Sequence, residues 1–107
     1  MKDKVLSLLG FAAKSRKLLS GARSVERGLQ EQKVVLLIAS TQMSRSALNR
    51  LNYQRDIPVI QEYTAEQLSQ VIGKKNRHII GITDPAMAKA MLEFSKQEVF
   101  FDENPSI

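Results

Sequence analysis

Cysteine and tryptophan are absent from this chain of 107 residues, and histidine occurs once, at His78. Without cysteine there is no disulfide framework, no thiolate nucleophile, no iron–sulfur cluster and no Cys-based zinc site. One histidine rules out a multi-His metal centre. The longest apolar run, Val34 to Ala39, falls far short of the roughly 20 residues that cross a bilayer. The opening Met1-Lys2-Asp3-Lys4 carries neither the apolar stretch nor the small-residue cleavage site of a secretory signal. A cytoplasmic protein with no membrane partner is expected. Neither the G-x-x-x-x-G-K-[ST] phosphate loop nor the G-x-G-x-x-G dinucleotide turn occurs, so nucleotide-dependent chemistry is not expected.

The composition, 43% hydrophobic and 25% charged, suits one compact domain. The formal charge is +5, but it is unevenly spread: residues 1–60 carry net +7 and residues 61–107 net −2. The cations are densest at Lys14, Arg16, Lys17, Arg23 and Arg27, which face only Glu26 over that stretch. Such a cluster attracts a polyanion.

Apolar spacing orders the elements. Val5, Leu8, Leu9 and Ala12 share a helix face between Asp3 and Arg16. Lys17 to Ser20 forms a brief strand. Ser20 is placed to cap a second helix in which Ala22, Val25 and Leu29 face inward, with Arg23 and Arg27 one turn apart outside. Lys33 to Ala39 is β-branched and apolar, a strand buried on both faces. Ser44 caps a third helix, ending near Asp56, that buries Ala47, Leu48 and Leu51 and exposes Arg45, Arg50 and Arg55. Ile57 to Ile60 is a short strand. Thr64-Ala65-Glu66-Gln67 has the capping-box form, and its helix closes at Gly73. Lys74-Lys75-Asn76 is a charged turn before a buried strand over His78–Thr83, and Asp84-Pro85 starts the last helix. There Met87, Met91 and Phe94 read as core filler. Past Lys96 the pattern lapses. Residues 1–96 are thus a single domain, and 97–107 a tail in which Val99, Phe100 and Phe101 are offered for docking. Alternating strands and helices imply a three-layer α/β/α sandwich; its sheet is expected to be four-stranded and mixed.

In open α/β sheets ligands gather beyond the carboxyl ends of parallel strands, which points to Ser40-Thr41, Gln61-Glu62 and Thr83-Asp84. Ser40 has no evident base in the sequence, His78 is expected at the wrong end of its strand, and Asp84 reads as a helix cap. Catalysis is not expected. The start of the second helix is more informative. Its unpaired N–H groups and dipole suit phosphate oxygens, Gly21 leaves the approach open, and Arg23 and Arg27 extend it. Lys14, Arg16 and Lys17 are expected to hold the flanking RNA backbone.

Several segments then align with one family: Ser20 to Arg27, Lys33 to Ala39, Ile57 to Ile60, Leu68 with Ile72-Gly73, and Ile80 to Asp84. In order and spacing they resemble the kink-turn-binding ribosomal protein superfamily of the L-seven-Ae type, with its PELOTA-like domain, and specifically its small bacterial YlxQ-like members. The likeness spans residues 3–95. It implies an α/β/α sandwich that binds structured RNA such as rRNA, ribosome-associated, without a cofactor and non-catalytic. In the family the second helix opens with G-x-N-E-x-x-K, where the Asn-Glu pair reads sheared G·A pairs. Here Gly21 is kept, Arg27 stands for the lysine, and Arg23-Ser24 replace Asn-Glu, which implies an altered kink-turn specificity. The resemblance places Ala22 and Ser24 in the same contact, with Ser40-Thr41 beside it and Tyr63-Thr64 near flipped-out bases, Tyr63 as a stacking ring. The alternatives are a protein-interaction module of the same fold and, third, a small enzyme built on Ser40, Thr41 and Asp84.

Overall fold

The computed structural model of the chain describes residues 3–52 and 57–103. Five helices and four strands follow in the order α1 (Lys4–Lys14), β1 (Leu18–Ser20), α2 (Ala22–Gln30), β2 (Leu36–Ser40), α3 (Arg45–Asn52), β3 (Val59–Tyr63), α4 (Ala65–Ile72), β4 (Ile79–Ile82) and α5 (Pro85–Glu103). The strands form one mixed sheet in the order β1-β4-β2-β3. β2 and β3 run parallel, whereas β4 is antiparallel to both β1 and β2.

Side-chain alternation explains the layers. In β2, Leu36 and Ile38 point to one face and Leu37 and Ala39 to the other. The first pair, with Ile80 and Ile82 of β4, packs under Val5 and Leu9 of α1, Leu68 and Ile72 of α4 and Met91 of α5. The second pair, with Ile79, packs under Val25 and Leu29 of α2 and Leu48 of α3. Every residue of β2 and β4 is buried, as a sheet covered on both sides requires. The expected three-layer sandwich with a mixed sheet is therefore present.

The caps follow the sequence in three helices. Thr64 and Gln67 form a capping box and Gly73 closes α4 in the left-handed conformation, at φ 73°. Asp84 accepts from the Met87 N–H at 3.0 Å, and Ser44 accepts from the Ala47 N–H at 3.1 Å. The second helix differs. Ser20 ends β1, and the cap is Gly21, at φ 93° and ψ 150°, with no side-chain hydrogen bond. That conformation is nearly closed to residues with a Cβ, which accounts for the glycine.

Other boundaries shift for identifiable reasons. β2 starts at Leu36 rather than Lys33, because the Lys33 N–H is drawn back to the Gly28 carbonyl at the end of α2. β3 runs over 59–63, not 57–60: its polar residues Gln61 and Glu62 stay extended because Tyr63 pairs with Ser40 on β2 and its carbonyl accepts from the Thr41 N–H. Helix α5 continues through Glu103, beyond the point where apolar spacing lapses. The positions of Arg55, Asp56 and residues 104–107, and the side chains of Phe100 and Phe101, lie outside the described residues. Among the described residues no helix is long and apolar enough to cross a membrane.

Gly81 permits the close seating of Val34 on the sheet. A Cβ there would stand 2.9 and 3.1 Å from the two Val34 methyls, and valine has little rotamer freedom to yield. Gly81→Ala is expected to destabilise the fold by about 1–3 kcal/mol. Urea unfolding checks this as a lower midpoint at unchanged slope.

Candidate nucleic-acid interface

Because β4 is antiparallel to its neighbours, its first residues lie at the same end of the sheet as the last residues of β1, β2 and β3. Four chain segments meet there: the start of α2, the turn after Ser40, Thr64 at the start of α4, and residues 74–78 leading into β4. The Gly21 N–H donates to the Ile79 carbonyl at 2.9 Å, and the Ser40 N–H to the His78 carbonyl at 2.7 Å, which fixes this junction.

Gly21, Ala22, Arg23 and Ser24 are brought to this end, with Arg27 one turn further along α2. The first α-helical bond of α2 runs from the Val25 N–H to the Gly21 carbonyl. The N–H groups of Ala22, Arg23 and Ser24 therefore point out of the helix start, and no cap side chain occupies them. Arg23, Ser24 and Arg27 are exposed. Arg27 lies 3.9 Å from Glu31, with its side chain 80% exposed, a pair too open to water to hold the guanidinium firmly.

Three of the expected contacts are elsewhere. Lys17 begins the opposite end of β1, where its carbonyl accepts from the Thr83 N–H and its Nζ lies 3.8 Å from Asp84. A three-residue strand spans about 10 Å, so Lys17 does not flank the α2 start. Arg16, in the left-handed conformation at φ 58°, joins it to α1, whose last turn carries Lys14 beside Gln70 and Gly73 at the end of α4 rather than beside the α2 start. The antiparallel β4 also carries Thr83 and Asp84 to that far end, away from Ser40, which separates the residues of the small-enzyme alternative.

Two more residues are interior. Ser40 is 0% exposed, and its carbonyl accepts from Gln61 Nε2 at 2.9 Å. Tyr63 is 6% exposed, its ring packs in the α1–α4–α5 layer, and its hydroxyl donates to Asp3 at 2.9 Å. It is no stacking platform, because β3 bulges between Ile60 and Tyr63, three steps against two on β2, which turns Tyr63 to the same inward face as Ile60. Asp3 also accepts from the Val5 and Leu6 N–H groups, so Tyr63 ties the cap of α1 to the sheet. Thr41 and Thr64 are exposed at this end, but the Thr64 hydroxyl and N–H are engaged with Gln67.

The segment Lys74 to His78 supplies what the sequence pattern does not reveal. The Arg77 N–H donates to Ser69 Oγ at 2.8 Å, its Nε donates to Ser20 Oγ at 3.3 Å, and its Nη1 to the Lys75 carbonyl at 3.3 Å. The guanidinium is thereby held across the Ser20–Gly21 corner, where its Cδ would be 3.9 Å from a Cβ on Gly21. His78 Nδ1 lies 2.8 Å from Ser40 Oγ. The buried hydroxyl and Nδ1 satisfy one another through this hydrogen bond. The His78 ring, with Gln42, Ser69, Lys74, Lys75 and Asn76, borders a groove of about 640 Å³. The one legible signal is charge: Lys74, Lys75 and Arg77 are three of the five cations in a half of net −2. The carboxylate facing the same groove is Glu66.

This end of the sheet offers a polyanion outward-pointing N–H groups, a positive dipole end, Arg77, Lys74 and Lys75, while Arg23 lines an adjoining groove along α2 with Arg27, Thr83 and Pro85. No family model matches the sequence, and neither does any curated protein. Among solved structures, a protein with unknown function from Bacillus halodurans is similar at 31% identity, covering 89% of this chain and 99% of that one, with a TM-score of 0.81. A 15.5 kD RNA-binding protein of Giardia lamblia is similar at 13% identity, covering 91% of this chain and 89% of that one, with a TM-score of 0.70. The latter likeness is one of fold. The former extends to sequence over almost the whole of that chain, and this protein accordingly belongs to one family with the Bacillus halodurans protein.

Proposed function

We propose that the protein is a non-catalytic binder of structured RNA, with ribosomal RNA or the ribosome as its partner and a kink-turn preference altered by Arg23 and Ser24. The observation that carries this reading is the meeting of the uncapped α2 start with Arg77, Lys74 and Lys75 at one sheet end, with Arg23 in the adjoining groove. Phosphate oxygens fit the outward N–H groups, and the cations supply affinity without reading sequence. The His78 groove, of about 640 Å³, offers volume for a base turned out of its helix, with the imidazole at its border as a hydrogen-bonding partner. The fold shared with the Giardia lamblia RNA-binding protein supports the reading. The burial of Ser40 argues against its use as a nucleophile.

The family resemblance suggests why specificity changes. An arginine at position 23 donates to guanine edges or phosphates, but neither it nor Ser24 supplies the carboxylate acceptors of the family's Asn-Glu pair.

Arg23→Glu combined with Arg77→Glu is expected to weaken binding to a kink-turn RNA hairpin by more than tenfold, and to lower the slope of log affinity against log salt by about 1 for each phosphate that is no longer neutralised. Lys17→Glu, at the other end of the sheet, makes the same charge change as either single arginine substitution and should leave the specific complex largely intact. Equal losses from both variants would contradict the site. Replacing Arg23-Ser24 by Asn-Glu is expected to raise the preference for a kink-turn hairpin over a plain duplex of equal length. Competition titrations with the two RNAs measure that preference.

A further inference from the structure

Among the described residues Phe11 is the large hydrophobic side chain left exposed, at 60%. It does not belong to the inward face of α1, which is made by Val5, Leu9 and Ala12. Instead it stands at i+4 from Ser7 and three residues before Lys14, on a face that walls a groove of about 640 Å³. The opposite wall is the last turn of α4, with Gln70, Val71 and Gly73. Among the described residues no carboxylate borders this groove. At Gly73 the wall is open, with no atom within 4 Å of where a Cβ would stand, and the next residue, Lys74, faces the His78 groove. Gln70 borders both grooves, so the two adjoin at the last turn of α4.

We propose that the Phe11 groove takes an unpaired nucleotide of the RNA held at the α2 end, its base stacked on Phe11 and its phosphates met by Lys14 and Lys74. This rests on the RNA reading of the previous section and extends its path by one subsite. An isolated aromatic face flanked by lysines suits a base, because every base offers a π-face and brings an anion with it. An apolar helix or a second copy of the chain would instead call for a continuous apolar strip, and around Phe11 the exposed neighbours are Ser7, Lys14 and Gln70. Lys14, which does not flank α2, finds its role here.

Fluorescence anisotropy with two probes tests the subsite: a kink-turn hairpin alone, and the same hairpin carrying a single-stranded tail of about ten nucleotides. The wild-type protein is expected to bind the tailed RNA more tightly. Phe11→Ala should remove the gain, a loss of about 5- to 100-fold for the tailed probe alone, and Phe11→Trp should keep it. Because Phe11 is exposed, thermal melts of both variants should match the wild type. If the hairpin binds and the tail adds nothing, or if Phe11→Ala retains the gain, the subsite is refuted while the RNA reading stands. If neither probe binds, both fall. A Phe11→Ala variant that leaves RNA affinity unchanged but abolishes self-association would assign the groove to a second copy and overturn the proposal.

Discussion

The strand β4 lies between β1 and β2 and runs against both, and the geometry of the proposed RNA-binding end depends on that one reversal. A parallel β4 would carry His78 and the cations before it to the opposite end of the sheet, beside Lys17. Run antiparallel, it delivers Arg77 to the corner where β1 turns into α2 and His78 to the end of β2. Its ladder also accounts for its composition. Ile80 and Ile82 serve one core layer, Ile79 the other, and Gly81 makes room for Val34.

Polar groups beneath that surface hold it in place. Ser40, Ser69, Ser20 and Gln61 each bond a neighbouring segment: Ser40 the His78 ring, Ser69 and Ser20 Arg77, and Gln61 the carbonyls of Ser40 and Met43. Small hydroxyls and one amide thus fix the placement of larger cationic and aromatic groups. A guanidinium positioned in advance loses less rotamer entropy when it meets a phosphate.

The sequence is most readable where one local signal decides the outcome. Apolar spacing locates all five helices, the capping box at Thr64 and the Asp84-Pro85 start are right in kind and place, and the wholly apolar β2 and β4 announce a sheet covered on both sides. Strand direction is a non-local property, and nothing in the alternation of strands and helices distinguishes the antiparallel β4 from a parallel one. The misplaced residues follow from this. By sequence His78 reads as remote from Ser40, Asp84 as near it, and Lys17 as a neighbour of Gly21 although a whole strand lies between them. Tyr63 misleads for another reason: polar Gln61 and Glu62 conceal the last stretch of the ladder, which takes the ring into the core. Charge density finds Arg23 and Arg27 but undervalues Lys74, Lys75 and Arg77, whose importance comes from where β4 begins.

The central claim is that one end of the sheet, assembled by the reversed β4, is a single RNA-binding surface. Amide chemical-shift mapping during titration with a kink-turn hairpin tests it most directly. The account predicts that the amides of Ala22, Arg23 and Ser24 shift together with those of Lys75, Arg77 and His78, while Lys17, Thr83 and Asp84 stay still. Shifts concentrated at Lys17 and Asp84, or confined to α2 without residues 75–78, would contradict it.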